Sequence, residues 1–325
     1  MAEPFIIAEA AQGFEGSADL ARLLIRAAAR GGADAIKFQI VFADDISVSG
    51  YQYYELFQDL EMPASVWKSL VDDAHEQGLK FYADVLGPRS AELVSDLFLD
   101  GAKIATTCYY ETGVVEHVLG AGYPVLFSVG GIPVDEARET FEEFGVFKRD
   151  DVTVMFGYQA EPTPIDKNNL ARIPALREAL GLPVGFMDHA DGAGSEIITL
   201  SAVALGLGVT TFEKHITLDR ELEIEDYVSA LAPREFAAYS AALRTLGRAM
   251  GTPSLTLSSE ENTYREKAIK RTIATRDLDA GAIIGADDVV LLRGVDTGGM
   301  ARVEDTIGRT LNAAVEKHNP ITDEG

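Results

Sequence analysis

Eight times between Phe5 and Met250 a short apolar run is followed by a helical repeat, and this alternation narrows the architecture more than any other feature. The runs are Phe5-Ile6-Ile7-Ala8-Glu9, Ala35-Ile36-Lys37-Phe38-Gln39, Lys80-Phe81-Tyr82-Ala83-Asp84, Ala102-Lys103-Ile104-Ala105, Val125-Leu126-Phe127-Ser128, Val152-Thr153-Val154-Met155-Phe156, Pro183-Val184-Gly185-Phe186 and the run opening at Thr210. Helices are predicted from the Ser17 cap to Arg30, with Leu20, Leu23, Leu24 and Ala27 on one face, and over 63–77, 88–99, 112–121, 136–144, 168–180, 195–205 and 233–250. Strands alternating with helices of this length imply a parallel sheet, and eight of them imply a closed (β/α)8 TIM barrel over 1–250. An open doubly wound sheet is the alternative, but the residues after the first strand, 8–16, lack its glycine spacing.

In such a barrel the C-terminal strand ends converge on one face. Here those ends carry Glu9, Lys37 with Gln39, Asp84, Lys103 with Thr106, Ser128, Gln159, Asp188 with His189, and Glu213 with His215. A polar pocket at the barrel mouth is therefore expected. The chain has five histidines, and two of them close neighbouring strands. A pair of neutral imidazoles, with water and a bidentate substrate, makes a cation site with open positions. Histidines satisfied by backbone or carboxylate partners are the other reading of the same placement. The segment from Val41 to Glu61 is long for a connection and rich in tyrosine. Tyr51, Tyr53 and Tyr54 suit either a sugar-stacking platform or packing within the loop.

The formal charge of −24 argues against nucleic acid and against anionic membrane surfaces, whose ligands gather lysine and arginine. An anionic substrate then needs a local basic pocket, and Lys37, Lys103 and Lys214 sit within or at the end of strands where they hint at one. No apolar run reaches the ~18 residues of a membrane span, and no secretory signal is apparent. A single cysteine, Cys108, excludes an internal disulfide and makes the cytoplasm the expected address. Residues 251–267 have the composition of a linker. Residues 268–325 read as a small β-rich unit, within which 277–284 and 314–321 look like a weak internal echo.

These residues resemble the sialic acid synthase family, the phosphoenolpyruvate-dependent nonulosonate synthases, over almost the whole chain. The resemblance is carried by Ile7-Ala8-Glu9, Ile36-Lys37-Phe38-Gln39, Lys103-Ile104, Pro162-Thr163-Pro164, Asp188-His189 and above all Glu213-Lys214-His215-Ile216-Thr217-Leu218-Asp219. Asp226-Tyr227-Val228-Ser229 is similar to a further family element, and the tail resembles the antifreeze-like (SAF) domain, with Arg293 opening its arginine loop, residues 293–298. The resemblance implies condensation of phosphoenolpyruvate with an N-acetylated aldose, assisted by a divalent metal (Mn2+ or Mg2+) on His189 and His215. It implies phosphate and carboxylate contacts from Lys37, Lys103, Thr106, Ser128 and Gln159. It implies sugar contacts from Gln39, Glu161 and Asp226, a sugar or proton-transfer role for Glu9, and an acyl or carboxyl contact from Arg293. It further implies a domain-swapped homodimer in which the tail covers the partner's site.

The departures from the family pattern are Gly13-Phe14, the residues near Cys108, Met187, Gln159 and Glu161 before Pro162, and Val129-Gly130-Gly131. They suggest that the acceptor is not N-acetylmannosamine. A catalytically lapsed carbohydrate-binding relative and a class I aldolase using Lys37 or Lys103 as Schiff base are the rival readings. The tail's likeness to type III antifreeze proteins also suggests ice binding, against which a lid on a fused barrel is the better expectation.

Overall fold

A computed structural model of the protein describes residues 3–97, 99–294 and 298–323, in two compact units, Met1–Thr252 and Pro253–Gly325. In the first unit eight parallel strands close on themselves: β1 Phe5–Ala11, β2 Ala35–Ile40, β3 Lys80–Val85, β4 Gly101–Ile104, β5 Val125–Ser128, β6 Val152–Phe156, β7 Val184–Asp188 and β8 Thr211–His215. Closure is sealed by the β1–β8 pairing, in which Phe5 stands opposite Thr211 and Glu9 opposite His215. The expected barrel and its eight alternating units are thus present.

The helices differ from the expectation in detail. Ser17 caps the helix Ala18–Arg30 by accepting from the Leu20 amide. The buried face of that helix is Ala21, Leu24, Ile25, Ala27 and Ala28, while Leu23 is 44% exposed. In an alanine-rich helix several registers satisfy the period, and packing on the barrel chose one. The segment after β2 is not a bare loop; it forms two short helices, Ala43–Ile46 and Tyr54–Asp59. Among the described residues no helix is long and apolar enough to cross a membrane.

Alternation sorts each strand into a face toward the helices and a face toward the barrel interior. The outer face carries Ile6, Ile36, Phe38, Phe81, Val154 and Phe212 into the large core under the helices. The interior holds a separate apolar plug of Ile7, Ala35, Tyr82, Leu126, Met155 and Met187. Going toward the C-terminal ends, the inward positions that follow include Glu9, Lys37 and Gln39, Asp84, Lys103, Ser128, Glu213 and His215. Large plug residues fit because small ones face them. Gly101 pairs with Tyr82 across β3–β4, and a Cβ there would lie 2.2 Å from the tyrosine ring.

The second unit begins with the helix Ser259–Ala268, capped at Ser258 by a reciprocal bond with Glu261, inside the stretch whose composition suggested a linker. None of its residues is buried, so local capping and not packing holds it. The antiparallel pair β9 Arg271–Ala274 and β10 Val289–Leu292 follows. Leu278 bridges Val315, which pairs the two echo segments, and Ala274, Leu278, Ile284, Val289, Leu311 and Ile321 form a small core.

The fit at Gly101 leads to a prediction. Gly101→Ala should destabilise the first unit by about 1–3 kcal/mol through overpacking against Tyr82, read as a lowered urea midpoint with an unchanged m value.

Candidate active site

The barrel mouth encloses a cavity of about 240 Å³. Its walls include Glu9, Gln39, Lys103, Thr106, Ser128, Gln159, Glu161, His189, His215 and Asp226, all expected site residues, brought together from seven strands and the loops that follow them. Asp84, Glu213 and Gln12 line it as well. Gln12 reaches Gln39 with a 2.7 Å hydrogen bond, and it turns inward because the chain bulges between Glu9 and Ala11. No sequence signal marked that bulge.

The floor of the cavity is an ionic layer. Lys37 is fully buried and pairs with Glu9, with Asp84 at 2.7 Å and with Glu213 at 3.6 Å. Lys103 pairs with Glu213 at 2.7 Å and Asp84 at 3.3 Å, and it alone of the two lysines reaches the cavity. Lys37, expected to grip an anionic substrate, is instead sealed beneath the wall between carboxylates of β1, β3 and β8. Lys214, which hinted at the same basic pocket, points away from it. Its ammonium sits against Asp188 at 3.3 Å and donates to the carbonyls of Ala190 (2.8 Å) and Asp188 (3.3 Å). Period-two alternation puts Lys214 on the face opposite Glu213 and His215, where it ties the end of β8 to the chain around His189.

Electrostatics follow from burial and pairing. Burial drives the Lys37 pKa down to about 8 against the pull of Asp84 and Glu213. Burial acts the same way on Lys103, but Asp84 and Glu213 outweigh it and hold that ammonium above its ordinary range. Burial would raise the Glu213 carboxyl, yet Lys103 and Lys37 keep it down at about 2.

His189 and His215, from the ends of the neighbouring strands β7 and β8, both line the cavity, with ring centroids 5.4 Å apart and planes tilted by 51°. Glu161, from the loop after β6, lies beside both: its Oε1 is 3.2 Å from His215 Nε2 and 3.9 Å from His189 Nε2. One ligand atom from each of the three residues falls within 4.8 Å of the others. Burial and the neighbouring His215 push His189 down to about 3, so its ring is neutral at ordinary pH. Burial lowers His215 too, but its bond to Glu161 and the charge of Asp226 raise it overall. Asp226 Oδ2 stands 3.8 Å from His215 Nδ1, the ring nitrogen turned away from Glu161. The backbone of His189 is fixed by the Thr163 amide at 2.7 Å and the Ser229 hydroxyl at 2.9 Å, both on its carbonyl.

The remaining expectations separate cleanly. Tyr51 stacks on Phe57 and meets Tyr53 edge-on; Phe57 lines the cavity and the tyrosines do not. Phe14 packs edge-on against Phe38 and Trp67, and Cys108 is buried, so neither of these side chains lines the cavity, although Thr107 beside Cys108 does. Met187, Gln159 and Glu161 do. Arg293 belongs to the second unit, where it is exposed and donates from Nε to the Ala268 carbonyl, and residues 295–297 of the arginine loop lie outside the described residues.

The NeuB family model matches residues 24–254, and the SAF domain model matches residues 273–325. An N,N'-diacetyllegionaminic acid synthase of Legionella pneumophila is 27% identical over 307 residues, covering 89% of this chain and 85% of its own. The human N-acetylneuraminate-9-phosphate synthase is 25% identical, covering 98% of this chain and 92% of its own. Among solved structures, an N-acetylneuraminic acid synthetase of Leptospira borgpetersenii in complex with citrate superposes with a TM-score of 0.75 at 23% identity, over 82% of this chain and 91% of its own. That likeness supports the fold.

The ionic floor yields two predictions. Lys37→Met leaves three buried carboxylates with one lysine and should lower stability by about 3–5 kcal/mol in urea unfolding, with partial recovery when Asp84→Asn is added. Because the native Glu213 pKa is about 2 and its ordinary value 4.5, stability is contributed above pH 4.5 and lost as pH falls toward 2. Unfolding free energy measured across that window should fall with acid, and the slope should flatten in Lys37→Met.

Proposed function

This chain belongs to the NeuB family, and from that premise we propose that it joins phosphoenolpyruvate to an N-acetylated aldose, releasing phosphate and a nonulosonic acid. The observation that carries this reading is the convergence of two adjacent imidazoles and a lysine-bearing polar wall on one cavity at the C-terminal ends of the barrel strands. C3 of the enol attacks the aldehyde carbon, water adds at C2, and the C2–O bond to phosphate breaks. The protein's task is to place two substrates and to balance charge.

Lys103, Thr106, Ser128 and Gln159 form the wall of β4 to β6, across the barrel from β8 and β1, and suit the phosphate and carboxylate. Thr106 and Ser128 are already linked at 3.1 Å, which orients both hydroxyls. Gln39 and Asp226 suit sugar hydroxyls. Lys37 acts from below: by neutralising Glu9 and Asp84 it keeps that edge of the cavity open to an anion.

The wall nonetheless carries five carboxylates, Glu9, Asp84, Glu161, Glu213 and Asp226, against one lysine. Such a surface repels a trianionic substrate unless positive charge enters with it. His189 and His215 are the residues that would hold a divalent cation, and the donor set of neutral nitrogen beside carboxylate fits one. Bound there, such an ion supplies Lewis acidity to the aldehyde oxygen. The Schiff-base alternative loses ground: Lys103 reaches the cavity but is held protonated, whereas Lys37 is easier to deprotonate but sealed.

The acceptor is proposed to differ from N-acetylmannosamine, since Met187, Gln159 and Glu161 stand on the wall itself. Phosphate release from phosphoenolpyruvate, assayed with Mn2+ and a panel of N-acetylated hexosamines, should show turnover with at least one acceptor and poor turnover with N-acetylmannosamine. His215→Ala should reduce kcat/KM by about 100-fold or more. Absence of phosphate release with every aldose would instead favour a binding relative.

A further inference from the structure

We infer that Glu161 is a third, direct protein ligand of the cation, so that this chain offers a two-histidine, one-carboxylate set in place of a bare histidine pair. The inference rests on the cation reading above and adds to it a ligand, a charge and a preference among metals.

Geometry carries it. Two donors each about 2.1 Å from one ion are separated by about 3.0 Å at a right angle and about 3.4 Å at a tetrahedral angle. The distances from Glu161 Oε1 to the two Nε2 atoms are 3.2 Å and 3.9 Å. The first matches that spacing, the second exceeds the tetrahedral value by about half an ångström, and one donor atom from each of the three residues lies within 4.8 Å of the others, so an ion would draw the side chains together by about an ångström; both imidazoles already present the same nitrogen to the same carboxylate oxygen. Among the described residues, the ion pairs of Glu161 are with these two rings.

Glu161 is also built into place. Two residues on, Thr163 donates its amide to the carbonyl of His189, and its hydroxyl reaches the carbonyls of Tyr158 (3.0 Å) and Ala160 (2.7 Å) on the other side of Glu161. The loop is thus fastened to the backbone of one metal-site histidine and closed on itself around the glutamate. The side chain is 32% exposed and rises from the cavity edge, where it can cap an ion without filling the positions a substrate needs.

Two consequences follow. A carboxylate cancels one of the ion's two charges, which favours binding before any substrate arrives. A set of two nitrogens and one oxygen suits Mn2+, Fe2+, Co2+ or Zn2+ over Mg2+, which prefers an all-oxygen octahedron.

The test uses the full-length chain stripped with a chelator and titrated calorimetrically with Mn2+ alone, without substrates. The parent protein should bind one Mn2+ per chain and Mg2+ at least tenfold more weakly. Glu161→Gln, nearly isosteric, should weaken Mn2+ at least tenfold with an unchanged melting temperature of the apo protein, and Glu161→Asp should recover part of the loss. Water-proton relaxation should report one additional Mn2+-bound water in Glu161→Gln. Parent-like affinity and water count in Glu161→Gln, with binding abolished in His215→Ala, would overturn the role of Glu161 and leave the two-histidine reading standing. No Mn2+ binding by the parent protein would remove both.

Discussion

The buried ionic layer between the apolar plug and the cavity is the constraint on which the site depends. Three carboxylates, Glu9, Asp84 and Glu213, enter the barrel from β1, β3 and β8, and Lys37 and Lys103 enter from β2 and β4. Charges this deep are tolerable only when each faces an opposite one at hydrogen-bond distance. Five strands must therefore keep their registers together, since a slip of one residue turns a lysine out of the layer and an apolar side chain into it. The layer thereby sets the height at which the plug stops and the cavity begins.

Above that layer the balance of charge inverts the expectation drawn from composition. An anionic substrate, expected of this acidic protein, called for a basic pocket, yet the lysines are largely consumed in holding carboxylates. The cavity is polar and negative, and the groups left to receive positive charge are the two imidazoles, Glu161 and Asp226. The cation site proposed at the mouth would resolve the conflict, because it would restore positive potential there while leaving the structural lysines paired. Lys214 and Asp188 serve this arrangement from outside the barrel by tying the chain ends that carry His189 and His215.

How much could be read in advance varied by residue. His189, His215, Lys103, Ser128 and Glu9 were legible because each lies within two residues of the C-terminal end of its strand, and in a closed parallel barrel those ends meet at the mouth. Lys37 was legible as inward-facing but not as sealed, because its depth relative to Asp84 and Glu213 depends on the stagger of neighbouring strands. Glu161 stood out as a departure before Pro162, without any hint that its carboxylate meets both rings. Gln12 was missed because a bulge shifted the phase of β1. The helix Ser259–Ala268 was hidden by polar composition, since its stability is local and leaves no apolar stripe.

By itself the amino-acid order determined the repeat of strand and helix, hence the barrel, and through strand parity the set of side chains that face inward. These are local properties, written in periodicities of two and 3.6 residues. Only the tertiary structure decided which inward charges neutralise one another, which remain at the cavity, and that Glu161 stands within reach of both imidazoles. Those outcomes turn on distances between residues far apart along the chain, set by strand stagger and loop closure, and Coulomb interactions in a buried layer change sharply over an ångström or two.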